Sequence, residues 1–153
     1  MRLDTVTYPD PRVAQFVSDH FIPVRVNIRE QPELGKTYHI HAAPTTVILD
    51  RESEYYRLSG FLPPQDFLAY LIIGRAVADC DRGKYAEAID ALNQLVSQGD
   101  GHPVDVLAEA WYWLGRARFK QSGDREAALP SWKVLVERYP QTSWAKRVAY
   151  LFE

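Results

Sequence analysis

Apolar residues first take up helical spacing at Val13, Phe16 and Val17. Pro9-Asp10-Pro11 precedes them, with Asp10 placed as an N-cap and Pro11 at the first helical position, so the pattern predicts a short helix to about His20. From Ile22 the period changes to strict alternation. Val24, Val26 and Ile28 share one face, which predicts a strand over 22–28 with Pro23 near its start. Gln31-Pro32-Glu33-Leu34 opens another short helix, with Leu34 and Tyr38 as its i, i+4 pair. Ala42-Ala43-Pro44-Thr45-Thr46 then leads at once into Val47-Ile48-Leu49, a strand that ends at Asp50. A second strand-like run spans Glu54 to Gly60. Pro63-Pro64 starts a long helix that carries Phe67, Leu68, Leu71, Ile72, Ile73 and Val77 and reaches Asp81.

Beyond Gly83 every periodic stretch is helical, and the pattern repeats. Gly83, Ala88, Leu92, Leu95 and Val96 recur forty positions later as Gly123, Ala128, Trp132, Leu135 and Val136. A period of this order implies stacked helical hairpins. Helix 84–97 has one apolar stripe and Gly99 beyond its end. Helix 104–120 is apolar almost all round, so neighbours must cover it on two sides. Its polar stripe is thin: Asp105, Glu109, Arg116 and Lys120, with Trp113 lying among them. Pro130 falls inside a helix beginning near Asp124 and should weaken or kink its first turns. Ser143 to Phe152 reads as a closing helix.

Composition narrows the functions. The 153 residues are 46% apolar, which is ordinary for a packed protein, and the net charge is -2. Acidic and basic residues nearly balance in both halves, which argues against a nucleic-acid footprint. The longest apolar run, Phe67 to Ile73, is too short to span a bilayer. Met1-Arg2-Leu3-Asp4-Thr5 lacks the apolar core of a signal peptide, so the chain as written reads as cytoplasmic. The single cysteine, Cys80, permits no internal disulfide and no thiol pair.

Two resemblances follow from these blocks. His20-Phe21-Ile22-Pro23-Val24-Arg25-Val26-Asn27, then Pro32-Glu33-Leu34, Tyr38, Ala43-Pro44-Thr45 and Gly60-Phe61-Leu62-Pro63, resemble the second half of a bacterial thioredoxin-like thiol reductase. Trp111-Tyr112-Trp113-Leu114-Gly115 and Arg138-Tyr139-Pro140-Gln141-Thr142-Ser143 resemble tetratricopeptide repeats of the kind used in bacterial envelope and assembly proteins. The expected fold class is thus α+β: a truncated thioredoxin-like α/β sheet over 1–71, then tetratricopeptide-like α-hairpins over 66–153, the two sharing helix 64–81. The thioredoxin resemblance implies a cis Ala43-Pro44 bond, a geometry that costs only ~0.5–1 kcal/mol over trans before proline.

What the first resemblance lacks is as informative. In that family a CxxC motif and a strand precede the segment aligned with Leu3 to Tyr8. The missing strand lies between the two that this chain supplies, near 22–28 and 45–50. Either Met1 is an internal or misassigned start with CxxC upstream, or the sheet closes by dimerisation or by rearrangement. In a rearranged sheet Arg2–Tyr8 would be extended to fill the gap, although the family uses that segment as helix. An edge rich in Val24, Val26, Val47 and Ile48 would otherwise template aggregation.

Candidate chemistry is sparse. Cys80 lies among Ala76 and Val77 without a contacting cation and reads as a small buried hydrophobe rather than a nucleophile. His39 and His41 have no third ligand near them in sequence and read as loop residues, so no metal and no cofactor is expected. Glu30 and Glu33 are helix-start charges. The residues expected to bind peptide are Ala43, Pro44 and Thr45, through the thioredoxin resemblance, and Trp113, through its place on the polar stripe. Two functions of different class remain. One is a non-catalytic interaction module holding a protein or extended peptide, with a homodimer through the sheet as a further expectation. The other is a fragment of a thiol-disulfide oxidoreductase whose CxxC lies upstream of Met1, in which case the cell envelope becomes the expected compartment.

Overall fold

The structure, a computed structural model, describes residues 2–51 and 53–153, and of Asp100 the backbone alone. A single π-type turn, Leu3–Thr7, precedes helices α1 (Pro11–His20) and α2 (Pro32–Thr37). Strands β1 (Thr45–Asp50) and β2 (Ser53–Ser59) form a two-stranded antiparallel sheet. Helices α3 (Pro64–Asp81), α4 (Tyr85–Ser97), α5 (Val104–Ser122), α6 (Leu129–Arg138) and α7 (Ser143–Lys146) follow, with short 3-10 turns at Gly99–Gly101, Arg125–Ala127 and Ala149–Leu151. The chain divides into two compact units, Met1–Val47 with Arg57–Leu68, and Ile48–Tyr56 with Ala69–Glu153. Helix α3 contributes residues to both.

In the first unit, Asp10 caps α1 by accepting from the Arg12 N–H, with Pro11 opening the helix as the sequence predicts. Leu3, Val13 and Phe67 are its buried apolar side chains. Thr7 is buried without cost because its hydroxyl donates to the Leu62 carbonyl at 2.6 Å. Tyr8 meets Phe67 edge-on, and the Arg2 guanidinium lies 4.5 Å over the Phe61 ring.

Two expectations fail here. Residues 22–28 form no strand, and they take no part in the sheet. Alternation needs a neighbouring strand before it becomes a β-structure, and among the described residues β1 pairs with β2 alone. Ile22 and Val24 are left 92% and 78% exposed. The Arg2–Tyr8 segment does not extend to fill a gap either: Leu3–Thr7 is helical, closed by the Tyr8 N–H to the Leu3 carbonyl at 2.8 Å. The Ala43–Pro44 peptide bond is cis.

The second unit is built on the forty-residue repeat. Gly83 and Gly123 both adopt left-handed conformations, φ 75° and 74°, just beyond helix ends. Only glycine takes that turn without a Cβ penalty. The repeat partners Ala88 and Ala128, Leu92 and Trp132, and Leu95 and Leu135 are all buried. One core joins Ala69, Ile73 and Ala76 of α3 to Ala88, Leu92 and Leu95 of α4 and to Val106, Ala110, Leu114 and Ala117 of α5. A second joins Ala108 of α5 to Trp132 and Leu135 of α6, Ala145 of α7, and Val148. Helix α5 is thereby covered on two sides, as its all-round apolar pattern requires.

Pro130 acts as expected, by displacing the helix start. The chain makes a 3-10 turn at Arg125–Ala127, capped by Asp124, and α6 begins only at Leu129 with proline in its first turn. The closing helix is shorter than expected. It ends at Lys146, and Val148 at φ -125° separates it from the final 3-10 turn.

Where α5 and α6 meet, the contact leaves no room for a side chain at Gly115. A Cβ there would overlap the Trp132 indole, which is itself fixed by a hydrogen bond from Nε1 to the Tyr112 carbonyl at 3.1 Å. Gly115→Ala is expected to destabilise the protein by about 1–3 kcal/mol, despite the better helix propensity of alanine. Gly123→Ala meets open space and costs about 1–2 kcal/mol through its left-handed backbone alone. Thermal unfolding followed by circular dichroism checks both. Indole fluorescence should shift only for Gly115→Ala.

Candidate functional site

Helix α5 exposes only a narrow strip, because α4 and α6 pack on its other faces. Its C-terminus is fixed by the Gly123 N–H donating to the Phe119 carbonyl at 2.8 Å. Residues 109, 113 and 116 fall on one stripe by helical spacing, and Tyr112 stands beside them. From the other side, Thr142 caps α7 by accepting from the Ala145 N–H at 3.2 Å, and this places Trp144 and Arg147 next to Tyr112.

The result is an aromatic cluster around Tyr112. Its ring meets Trp113 edge-on at 5.6 Å, Trp144 at 5.1 Å and Trp132 in a stacked arrangement at 6.5 Å. Two guanidiniums lie on the cluster. Arg147 sits 4.2 Å over Trp144 and 5.8 Å over Tyr112, and Arg116 sits 5.4 Å over Trp113. Arg116 also donates a long contact of 3.5 Å to the Tyr112 hydroxyl. Both arginines are exposed, whereas Tyr112, Trp113 and Trp144 are half-buried.

Glu109 corrects the sequence reading. It belongs to the polar stripe by spacing, yet it is only 6% exposed. Its Oε1 accepts from the Tyr56 hydroxyl at 2.7 Å and from Trp113 Nε1 at 3.3 Å. Burial raises the carboxyl above its ordinary value, against the pull of those two donors and of Arg147, with Asp105 adding to the rise. Burial raises the Tyr56 hydroxyl as well, and the neighbouring Glu109 adds to that shift. Spacing alone could not reveal Glu109, because its principal donor is 53 residues away in sequence.

The other predicted residues fall as follows. Ala43, Pro44 and Thr45 lie in the first unit, where Ala43 is exposed and the Thr45 hydroxyl turns back to the Ala42 carbonyl at 2.6 Å. Trp113 lies in the second unit and is half-buried, with its indole N–H directed inward to Glu109. His39 and His41 are exposed and line a shallow depression of about 430 Å³ with Pro32 and Lys36. Among the described residues no three metal-ligating side chains come together. Cys80 packs half-buried against the first core of the second unit, and desolvation, reinforced by Asp79, pushes its thiol up to about 11. No helix is long and apolar enough to cross a membrane among the described residues.

Residues 109–142 match the tetratricopeptide repeat family. The matched stretch begins at the buried Glu109, takes in Trp113, Gly115 and Trp132, and ends on the Thr142 cap. Searches of curated proteins and of solved structures give no match.

The raised carboxyl of Glu109 fixes the sign of a pH effect. Its folded value lies above the ordinary 4.5, so the stability it contributes is fully present below that pH and is lost as pH rises through the folded value. Glu109→Gln keeps an acceptor for both donors and cannot ionise. It is expected to flatten this part of the stability-pH curve and to gain on the wild type toward neutral pH. Glu109→Ala leaves Tyr56 and Trp113 unsatisfied and should cost about 2 kcal/mol or more. Urea unfolding of the three proteins between about pH 4 and 8 reads both effects.

Proposed function

We infer that this chain is a non-catalytic protein-interaction module whose helical half holds a segment of a partner protein. The observation that carries this reading is the tetratricopeptide match over 109–142, which falls on the α5–α6 hairpin and on the only exposed strip of α5. Stacked hairpins of this kind bury a continuous core and present one face for recognition. Aromatic side chains and arginines are the residue types that anchor such contacts. Trp113 is the site residue of this half. In the first half Ala43, Pro44 and Thr45 form the corresponding candidate contact for extended peptide.

Residues 1–71 are read as the second half of a thioredoxin-like fold that works here as a scaffold. The order of helix, proline loop, β1, β2 and α3 supports that reading. Dithiol chemistry is not assigned to this chain, because a disulfide exchange needs a second thiol to resolve the mixed disulfide and Cys80 stands alone with its thiol raised. Domain boundaries follow the same division, 1–71 and 66–153, with α3 common to both.

Selection from a random peptide library displayed on phage tests the function. Selected peptides are expected to bind with micromolar affinity and to perturb the amide signals of α5 and α7. Failure of every selected peptide to bind the purified chain would end the reading.

The scaffold half carries a separate expectation. Ile22, Val24 and Val26 are exposed apolar residues of the first unit, a pattern that associates unless covered. A homodimer that covers them is expected in light scattering, and Val24→Lys should return it to monomer. A monomeric wild type would remove the dimer from this account without touching the repeat half.

A further inference from the structure

We propose that the Arg116–Tyr112–Arg147 surface binds an acidic peptide segment, with one guanidinium taking each of two carboxylates. This rests on reading the repeat half as a protein-binding module and names the chemistry of its partner. Both arginines are exposed, and among the described residues neither forms an ion pair with a carboxylate. Glu109, which feels Arg147, is buried and committed to Tyr56 and Trp113, and Asp105 lies about three turns before Arg116 on the same helix. Asp79, which acts on Cys80 as Arg116 does, is paired with Arg75 at 3.3 Å. Lys120 extends the cationic strip one turn further along α5. This local excess of positive charge stands on a chain whose net charge is -2, so it does not follow from overall composition.

The aromatic rings supply preorganisation. Arg147 lies on Trp144 and Tyr112, and Arg116 on Trp113. A guanidinium over a ring has N–H groups left to donate, although Arg116 directs one of its own at 3.5 Å to the Tyr112 hydroxyl, and its planar fork matches a carboxylate in a two-point contact. Because the ring contacts already restrict both side chains, less rotamer freedom is lost when the ligand arrives. The half-buried ring edges of Tyr112, Trp113 and Trp144 offer apolar contact to the rest of the peptide.

The test uses the whole chain and two synthetic peptides of about twelve residues, one alternating glutamate with leucine and the other lysine with leucine. Signals of the Trp113 and Trp144 indole N–H groups and of the arginine side chains report binding. The glutamate peptide is expected to shift them and to weaken several-fold between about 50 and 300 mM salt, while the lysine peptide leaves them unmoved. The double variant Arg116→Gln with Arg147→Gln should lose about tenfold in affinity, against less than about twofold for Arg125→Gln. Circular dichroism monitors folding. Should the glutamine variant unfold, Arg116→Lys with Arg147→Lys keeps the charge, gives up the planar fork, and is expected to bind at an intermediate level. Equal binding of both peptides, or glutamate-peptide binding that survives both double variants unchanged, overturns the proposal. If display-selected peptides of other composition bind while the glutamate peptide does not, the protein-binding reading stands and this inference alone falls.

Discussion

Helix α5 carries apolar side chains on two faces, and the second unit is arranged by the need to bury both. Val106, Ala110, Leu114 and Ala117 pack toward α3 and α4, while Ala108 turns toward α6 and α7. Small residues stand among larger ones on both faces, Ala110 and Ala117 beside Leu114 and Trp113 on one, Ala108 beside Tyr112 and Phe119 on the other. The extreme case is Gly115, where the Trp132 indole occupies the space a side chain would take. Once both faces are covered, the exposed remainder of α5 is a strip holding Asp105, Arg116 and Lys120 with Tyr112 and Trp113 half-buried beside it. The candidate site is therefore what the packing of α5 leaves over.

Glu109 shows how that strip is anchored from beneath. Taking a carboxylate out of water is costly, and two donors to one oxygen offset part of that cost. Tyr56 reaches Glu109 from β2, so the hydrogen bond joins a strand residue to α5 inside the second unit. Two more contacts tie Ile48–Tyr56 to α3 and to Arg82, the residue that follows it. Arg82 pairs with Asp50 at 2.9 Å, and Gly74 leaves space for Ile48 and Tyr56. The exposed ion pair is worth little in energy. The close approach at Gly74 and the buried hydrogen bond carry the larger share.

Local signals in the sequence were legible where the physics is local. Asp10 with Pro11 marks the start of α1, and Gly83 and Gly123 mark equivalent turns forty residues apart, because capping and left-handed geometry depend on a few adjacent residues. Apart from the early end of α7 at Lys146, the failures are non-local. Ile22, Val24 and Val26 alternate as a strand does, but a strand exists only beside another, and the structure supplies none there. Leu3–Thr7 has a composition that tolerates either state, and packing against residues near Leu62 and Phe67 settles it as helix. Glu109 looks like a solvated charge until Tyr56 is placed above it. Trp113 was singled out as a contact residue from its place among polar neighbours, and its inward hydrogen bond to Glu109 was not foreseen.

Trp113 links the buried and exposed parts of this arrangement. Its N–H edge donates to Glu109 inside the unit, and its ring face supports Arg116 at the surface. One side chain thus serves opposite requirements: it satisfies a buried acceptor and orients an exposed cation. The two tasks are compatible because the indole has a polar edge and an electron-rich face at right angles to one another. They also explain why the surface keeps its positive charge. Glu109 is near enough to be felt by Arg147, yet its carboxylate is held by Tyr56 and Trp113 and does not reach out to pair with either arginine. In the acidic-peptide proposal, the two carboxylates that the guanidiniums take come from a second molecule.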